Sequence, residues 1–324
     1  PSLWAGDHVN ILVYHHVSEN TPASTSVSPQ QFREHLQLLQ DQGFTVVDLK
    51  SAVASIEANE SVPERAIAIS FDDGYSNIYE NAWPLLKEFN YPFTVFVATD
   101  AIDQQFGGML SWDQLREMQQ QGVTIANHSR DHDYLVRHPV RDESWLNNVE
   151  KNLDHAQQRL TAELGSDVPQ WFAYPYGEFN HLLKSLLKSK GYVGFAQHSG
   201  GFWQGTDLQA IPRFAAAGIY ANPKTLLTKL ESKPMPVDES LLPDMLTDDQ
   251  TPSLTATVQS TDRFSKALNC FIDGNWQDAQ WQSENAFQLN SDITLSEGRH
   301  RYNCTARSVD GDYYYWFSKP WLVY

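Results

Sequence analysis

Two short strings carry most of the chemistry this chain could do. Ser70-Phe71-Asp72-Asp73-Gly74 sets two carboxylates side by side, and His128-Ser129-Arg130-Asp131-His132 sets two imidazoles four residues apart. Together they are the minimum set for a mononuclear metal hydrolase. One aspartate and two histidines leave an open coordination position for water, as catalytic zinc sites do, and the other aspartate can serve as base. Each string alone has a blander explanation: Asp-Asp-Gly is a common solvated turn, and a His-x-x-x-His can be surface or capping polarity.

The settings of the two strings favour chemistry. The first follows Ala66-Ile67-Ala68-Ile69 and the second Gly122-Val123-Thr124-Ile125-Ala126, apolar runs that read as buried strands. Both strings would then sit at strand carboxyl ends, where catalytic groups of α/β folds gather. If the chain turns helically through the second string, its spacing puts both imidazoles on one face.

Strand-like and helix-like segments alternate through the first two thirds of the chain. Phe32-Leu36-Leu39 and Trp83-Leu86-Phe89 have helical spacing, Phe93 through Val97 reads as a strand, and Leu146 through Leu160 is amphipathic. Repeated βα units imply parallel strands, hence an open sheet or a barrel. After Leu230 the texture changes. Lys233-Pro234-Met235-Pro236 and the acidic stretch through Asp249 read as a linker over residues 233–252. From Ser253 to the end, short alternating strands broken at Asp273-Gly274 and Asp310-Gly311 read as an all-β sandwich, leaving residues 1–232 as the catalytic domain.

The ordered pair of motifs resembles the NodB homology domain of the polysaccharide deacetylases, the family-four carbohydrate esterases. The resemblance covers roughly residues 8 to 215 and selects an irregular (β/α) barrel. Phe172-Ala173-Tyr174-Pro175-Tyr176-Gly177 is similar to the family's third motif, Arg-x-Pro-Tyr-Gly, but Ala173 stands where the arginine belongs. A late Leu-x-His motif, which supplies the general acid in the family, is also missing. Tyr14-His15-His16-Val17 after the strand-like Ile11-Leu12-Val13 resembles instead the poly-N-acetylglucosamine deacetylase branch, which carries Tyr-His near its amino terminus.

The resemblance implies roles. Asp73, His128 and His132 would hold Zn2+ or another divalent transition metal, Asp72 would be the general base, and His15 the general acid. Neighbouring strand residues face opposite ways, so at most one of His15 and His16 points inward. The Tyr176 N–H would donate to the oxyanion, a role Pro175 cannot share, although Pro175 would still line the substrate site. In the family the missing arginine orients the base. Arg213, in the strand-like Ala210-Ile211-Pro212-Arg213-Phe214, is the candidate replacement; the alternative is a surface arginine on an edge strand. Trp112, Tyr134 and Trp203 could form a sugar platform or belong to the core, and His198 could line the site.

The implied reaction removes N-acetyl groups from an N-acetylglucosamine-containing glycan and releases acetate. The alternatives are an O-acetyl esterase of the xylan type and a non-catalytic glycan-binding protein. A net charge of −17 argues against a nucleic-acid or anionic-membrane partner, and no apolar run has the length of a transmembrane segment. No signal peptide is read at Pro1-Ser2-Leu3-Trp4, which is expected to be a mature end or a chain boundary. Cys270 and Cys304, an even pair in strand-like surroundings, read as a disulfide or as two buried thiols. A disulfide would favour a secreted or periplasmic protein.

Overall fold

The computed structural model describes residues 6–324, so Pro1 through Trp4 lie outside the described residues. The amino-terminal part is built on a curled nine-stranded sheet. Its strands are β1 (His8–Tyr14), β2 (Ala66–Phe71), β3 (Thr94–Val97), β4 (Thr124–Asn127), β5 (Trp171–Ala173) and β6 (Val193–Phe195), parallel in that order. Thr45–Val46 extends it beside β2, and β7 (Gly201–Trp203) runs antiparallel to β1.

One segment closes the curl. Ile211 bridges to Phe195 of β6, and β8 (Phe214–Ala215) pairs in parallel with Leu12 and Val13 of β1. The sheet therefore meets itself through residues 211–215, giving the irregular (β/α) barrel.

Strand alternation divides the apolar residues into two cores. Ile11, Ala66, Ala68, Ala126, Ala173, Phe96, Phe195 and Ile211 pack on the inside. Leu12, Tyr14, Ile67, Ile69, Phe71 and Ile125 face outward onto helices such as α1 (Pro29–Asp41), which presents Phe32, Leu36 and Leu39. Ser28 fixes the start of α1 with a capping box to Gln31. Continuing the inward alternation one step past β2 gives Asp72, and one step past β1 gives His15.

The carboxyl-terminal part is a sandwich. A six-stranded sheet holds β12 (Phe264–Ile272), β16 (Gly298–Ser308) and β17 (Tyr314–Val323); it faces a three-stranded sheet of β11 (Leu254–Thr257), β14 (Ala279–Trp281) and β15 (Ala286–Leu289). Leu254, Ala256, Phe287 and Leu289 from the smaller sheet pack with Ile272, Tyr302 and Phe317 from the larger. Cys270 and Cys304 are directly opposed on β12 and β16 and are joined as a disulfide.

The segment read as a linker is built into this sheet. β9 (Lys233–Pro234) and β10 (Leu246–Thr247) both pair in parallel with β17, and Asn275–Gln277 adds β13 beside β12. The prolines and acidic residues suggested free chain, but β17 offers backbone partners that satisfy the segment's own.

Lys319 of β17 is buried where the two parts meet, its ammonium donating to the Asp244 and Pro320 carbonyls. Burial pushes its titration down from an ordinary 10.5 to about 7. The folded protein therefore holds fewer protons than the unfolded chain between those values. Stability from this group rises with pH through that window and is withheld below it. Lys319→Met should accordingly raise the melting temperature more at pH 7 than at pH 10, and an equal gain at both would disprove the assignment.

Candidate metal and catalytic site

The site lies over the carboxyl ends of β1, β2, β4 and β5. Asp73 Oδ1 stands 3.0 Å from His128 Nε2 and 3.1 Å from His132 Nε2. The ligand atoms of these three residues lie within 4.8 Å of one another. His128 Nδ1 is 2.8 Å from the Ala173 carbonyl, which fixes the ring and leaves Nε2 facing the cluster. Burial opposes a charge on His128, yet Asp72 and Asp73 raise its titration, so this centre attracts cations. Two imidazoles and a carboxylate without thiolate suit a divalent ion of the zinc type.

The histidine pair does not come together on a helix. Residues 128–132 form an irregular loop in which Ser129 (φ 72°) and His132 (φ 56°) are left-handed. Two side chains stabilise that path: Asn127 Oδ1 accepts from the Ser129 N–H, and Ser129 Oγ accepts from the His132 N–H, both at 2.9 Å. Such local side-chain bonds are the usual competitors of helix. Asp73 (φ 72°) and Tyr176 (φ 59°) are left-handed too. The site thus concentrates backbone strain that its surroundings must hold in place.

Asp72 is fully buried beneath the cluster. Its two oxygens each accept from Arg213 at 2.7 Å in a bidentate pair. Arg213 is equally buried, donates through Nε to the Ala196 carbonyl, and lies over the Phe96 ring. The surface alternative for this arginine does not occur. Burial would raise the Asp72 carboxyl; Arg213, His128 and His15 outweigh it and hold the group below its ordinary value. Gln197 Nε2 donates to Asp72 from 3.3 Å, a contact with no sequence signature.

The remaining candidates separate. Burial lowers the His15 imidazole against the opposing pull of Asp72 and Asp73. His16 turns away, bonded to Asn77 and stacked on Tyr75 at 3.7 Å. The Tyr176 ring lies against His132 at 4.6 Å, and Tyr134 stacks on it at 3.9 Å, forming an aromatic wall; Pro175 beside it is buried.

Trp203 is not part of this wall. It pairs with His8 at the opposite end of β1, about 20 Å away at strand rise. Trp112 is also elsewhere, donating to Asp103 and flanked by Arg159 in the helical layer. A tryptophan following a strand-like run gives no information about which end of the barrel it occupies. His198 likewise faces the sandwich, near Lys319, Lys184 and Asp207, and burial pushes it down to about 3.

Sequence reasoning missed three charged residues around the aromatic wall. Arg137 makes a bidentate contact to the buried Glu178 and stacks on Tyr134, while Arg299 of the sandwich donates to the Tyr176 carbonyl at 2.5 Å. Nothing local in the sequence links Arg299 to a loop more than a hundred residues earlier.

Residues 59–195 match the sequence model of the polysaccharide deacetylase family. YxkH of Bacillus subtilis, a candidate polysaccharide deacetylase, is 28% identical over 56% of this chain and 61% of its own length. The poly-beta-1,6-N-acetyl-D-glucosamine N-deacetylase of Escherichia coli K12 is 25% identical over 66% of this chain and 37% of its own length. The chain therefore matches less than two thirds of either relative. The deacetylase PplD of Streptococcus pyogenes, solved with acetate, shares the fold with a TM-score of 0.61 at 22% identity, covering 70% of this chain and 100% of that one. With the barrel, the carboxylate pair and the histidine pair, these likenesses identify a polysaccharide deacetylase domain in the chain, matched over residues 59–195.

Proposed function

We propose that the protein is a metal-dependent N-deacetylase of an N-acetylglucosamine-containing glycan, releasing acetate. The observation that carries this reading is the juxtaposition of the Asp73, His128 and His132 ligand atoms with an Asp72 carboxylate clamped by Arg213. Asp73, His128 and His132 would hold a divalent ion such as zinc, which would supply polarisation of the acetyl carbonyl and acidification of water. Asp72, kept ionised, accepts the proton of the attacking water. His15 delivers a proton to the departing amine. The Tyr176 N–H donates to the oxygen that gains charge, worth roughly 3 kcal/mol for one such donor elsewhere. Tyr134 and Tyr176 offer an aromatic face to a sugar ring.

The disulfide and the glycan substrate favour a secreted or periplasmic location. Among the described residues no helix is long and apolar enough to cross a membrane. The E. coli relative is named for action on β-1,6-linked poly-N-acetylglucosamine; chitin and peptidoglycan are the other N-acetylated glycans to compare.

Acetate release from those three glycans and from acetylated xylan, with and without a chelator, tests the reading. Chelator-sensitive release from an N-acetylated polymer is expected. Release from xylan alone selects an O-acetyl esterase, and a protein that takes up no zinc and releases no acetate from any of them selects a glycan-binding protein. His15→Ala should lower kcat about a hundredfold or more with metal content unchanged. His16→Ala should be milder, because its ring is committed to Asn77 and Tyr75. A reversed order would move the acid to His16.

A further inference from the structure

A groove of about 1250 Å³ runs between the barrel and the sandwich. It begins beside the catalytic loop: His132 touches Tyr176, Tyr176 stacks on Tyr134, and Arg137 covers Tyr134. Arg299, which holds the Tyr176 carbonyl, lines the same groove from the other side. A glycan with one unit at the metal cluster would extend into this space.

The lining has an unusual charge for a protein of net −17. Arg137, Lys229, Arg299 and Arg301 contribute four cations, and Asp273 is the one carboxylate of the lining. Glu178 serves both Arg137 and Arg299, at 2.6 and 3.5 Å. Asp273 is engaged by His300 and by the Arg301 backbone N–H. The Arg301 guanidinium meets no carboxylate among the described residues. Lys229 is held by the Ala215 carbonyl at 3.2 Å, and burial, with a smaller contribution from Arg301, pushes it down to about 8. Trp316, Phe271 and Tyr220 add ring faces able to stack on pyranose units.

We propose that this groove is a glycan subsite selective for carboxylate-bearing sugars next to the unit being deacetylated, with Arg301 as its main anion contact. This rests on the deacetylase reading and deepens it. A cleft lined by one sign of charge concentrates field inside a molecule whose overall charge is opposite, and the planar guanidinium matches a carboxylate in two parallel bonds. The same field repels the ammonium of an already deacetylated neighbour, so the subsite favours fully acetylated, acidic stretches.

Calorimetric titration of the whole protein with three oligosaccharides of equal length tests this. The probes are an N-acetylglucosamine hexamer, a hexamer alternating with glucuronate, and a hexamer alternating with N-acetylmuramic acid. At low salt at least one acidic probe should bind on the order of tenfold tighter than the neutral one, and high salt should narrow the gap. Whichever acidic probe binds identifies the carboxylate source. Arg301→Glu should abolish the preference and Arg301→Lys should keep part of it, while both retain the parent melting temperature. Equal binding of neutral and acidic probes, or a preference untouched by Arg301→Glu, overturns the proposal. Because binding is read without acetate release, a failure of the deacetylase reading would leave this outcome separately visible.

Discussion

Arg213→Ala should destabilise the protein by about 3 to 5 kcal/mol, because removing one member of a buried ion pair leaves the other charge without a partner. Asp72 has no solvent to turn to, and the Gln197 amide alone is a weak substitute. Turnover should fall as well, since the carboxyl would then answer chiefly to burial. The acid limb of kcat/KM against pH should move to higher pH, because burial raises the titration that Arg213 now holds down. Arg213→Lys keeps the charge but loses the second parallel bond, so it should recover part of the stability and less of the rate. Wild-type melting with an unmoved acid limb would remove Arg213 from the role of positioning residue.

His132→Ala should leave the fold largely intact and eliminate bound metal together with activity. Its ring is partly exposed, and its contacts are with Asp73 and the Tyr176 face. Loss of several kcal/mol of charge stabilisation corresponds to a fall of about a thousandfold or more in kcat/KM. Two measurements check this: metal stoichiometry, and the rise in melting temperature on adding zinc, which disappears if the variant no longer binds it. Asp72→Asn provides the contrast, with metal retained and turnover abolished. A His132→Ala protein that keeps its metal would exclude this ligand set.

Much of this arrangement is visible in the sequence because it follows strand alternation. Ala66, Ala68, Ser70 and Asp72 share one face of β2 and its extension, so a two-residue period suffices to aim the Asp72 carboxylate inward. The family resemblance then supplied the barrel. Sequence reasoning failed where position depends on closure or on irregular backbone. The left-handed Ser129 and His132 cannot be read from an i, i+4 spacing, which suggests a helix. Trp203 and Trp112 look like platform residues until pairing with His8 and bonding to Asp103 reveal their places. The prolines at 234 and 236 suggest a free linker until β17 is seen to capture the segment. Arg299 is the hardest case, since its contact with Tyr176 depends on how the barrel and the sandwich meet.

The closing strand has a further consequence for how such proteins are recognised. The third motif lacks its arginine, and a column-by-column comparison would score Ala173 as a broken catalytic centre. A barrel brings its first and last strands together, so a guanidinium mounted on residue 213 can reach the same carboxylate from the other side of the seam. Motif-based inventories that discard chains for a missing letter will therefore discard chains in which an arginine elsewhere in the sequence pairs with the buried carboxylate. For such chains the useful question is whether any arginine on the seam strand can reach that carboxylate, and a structure answers it where an alignment cannot.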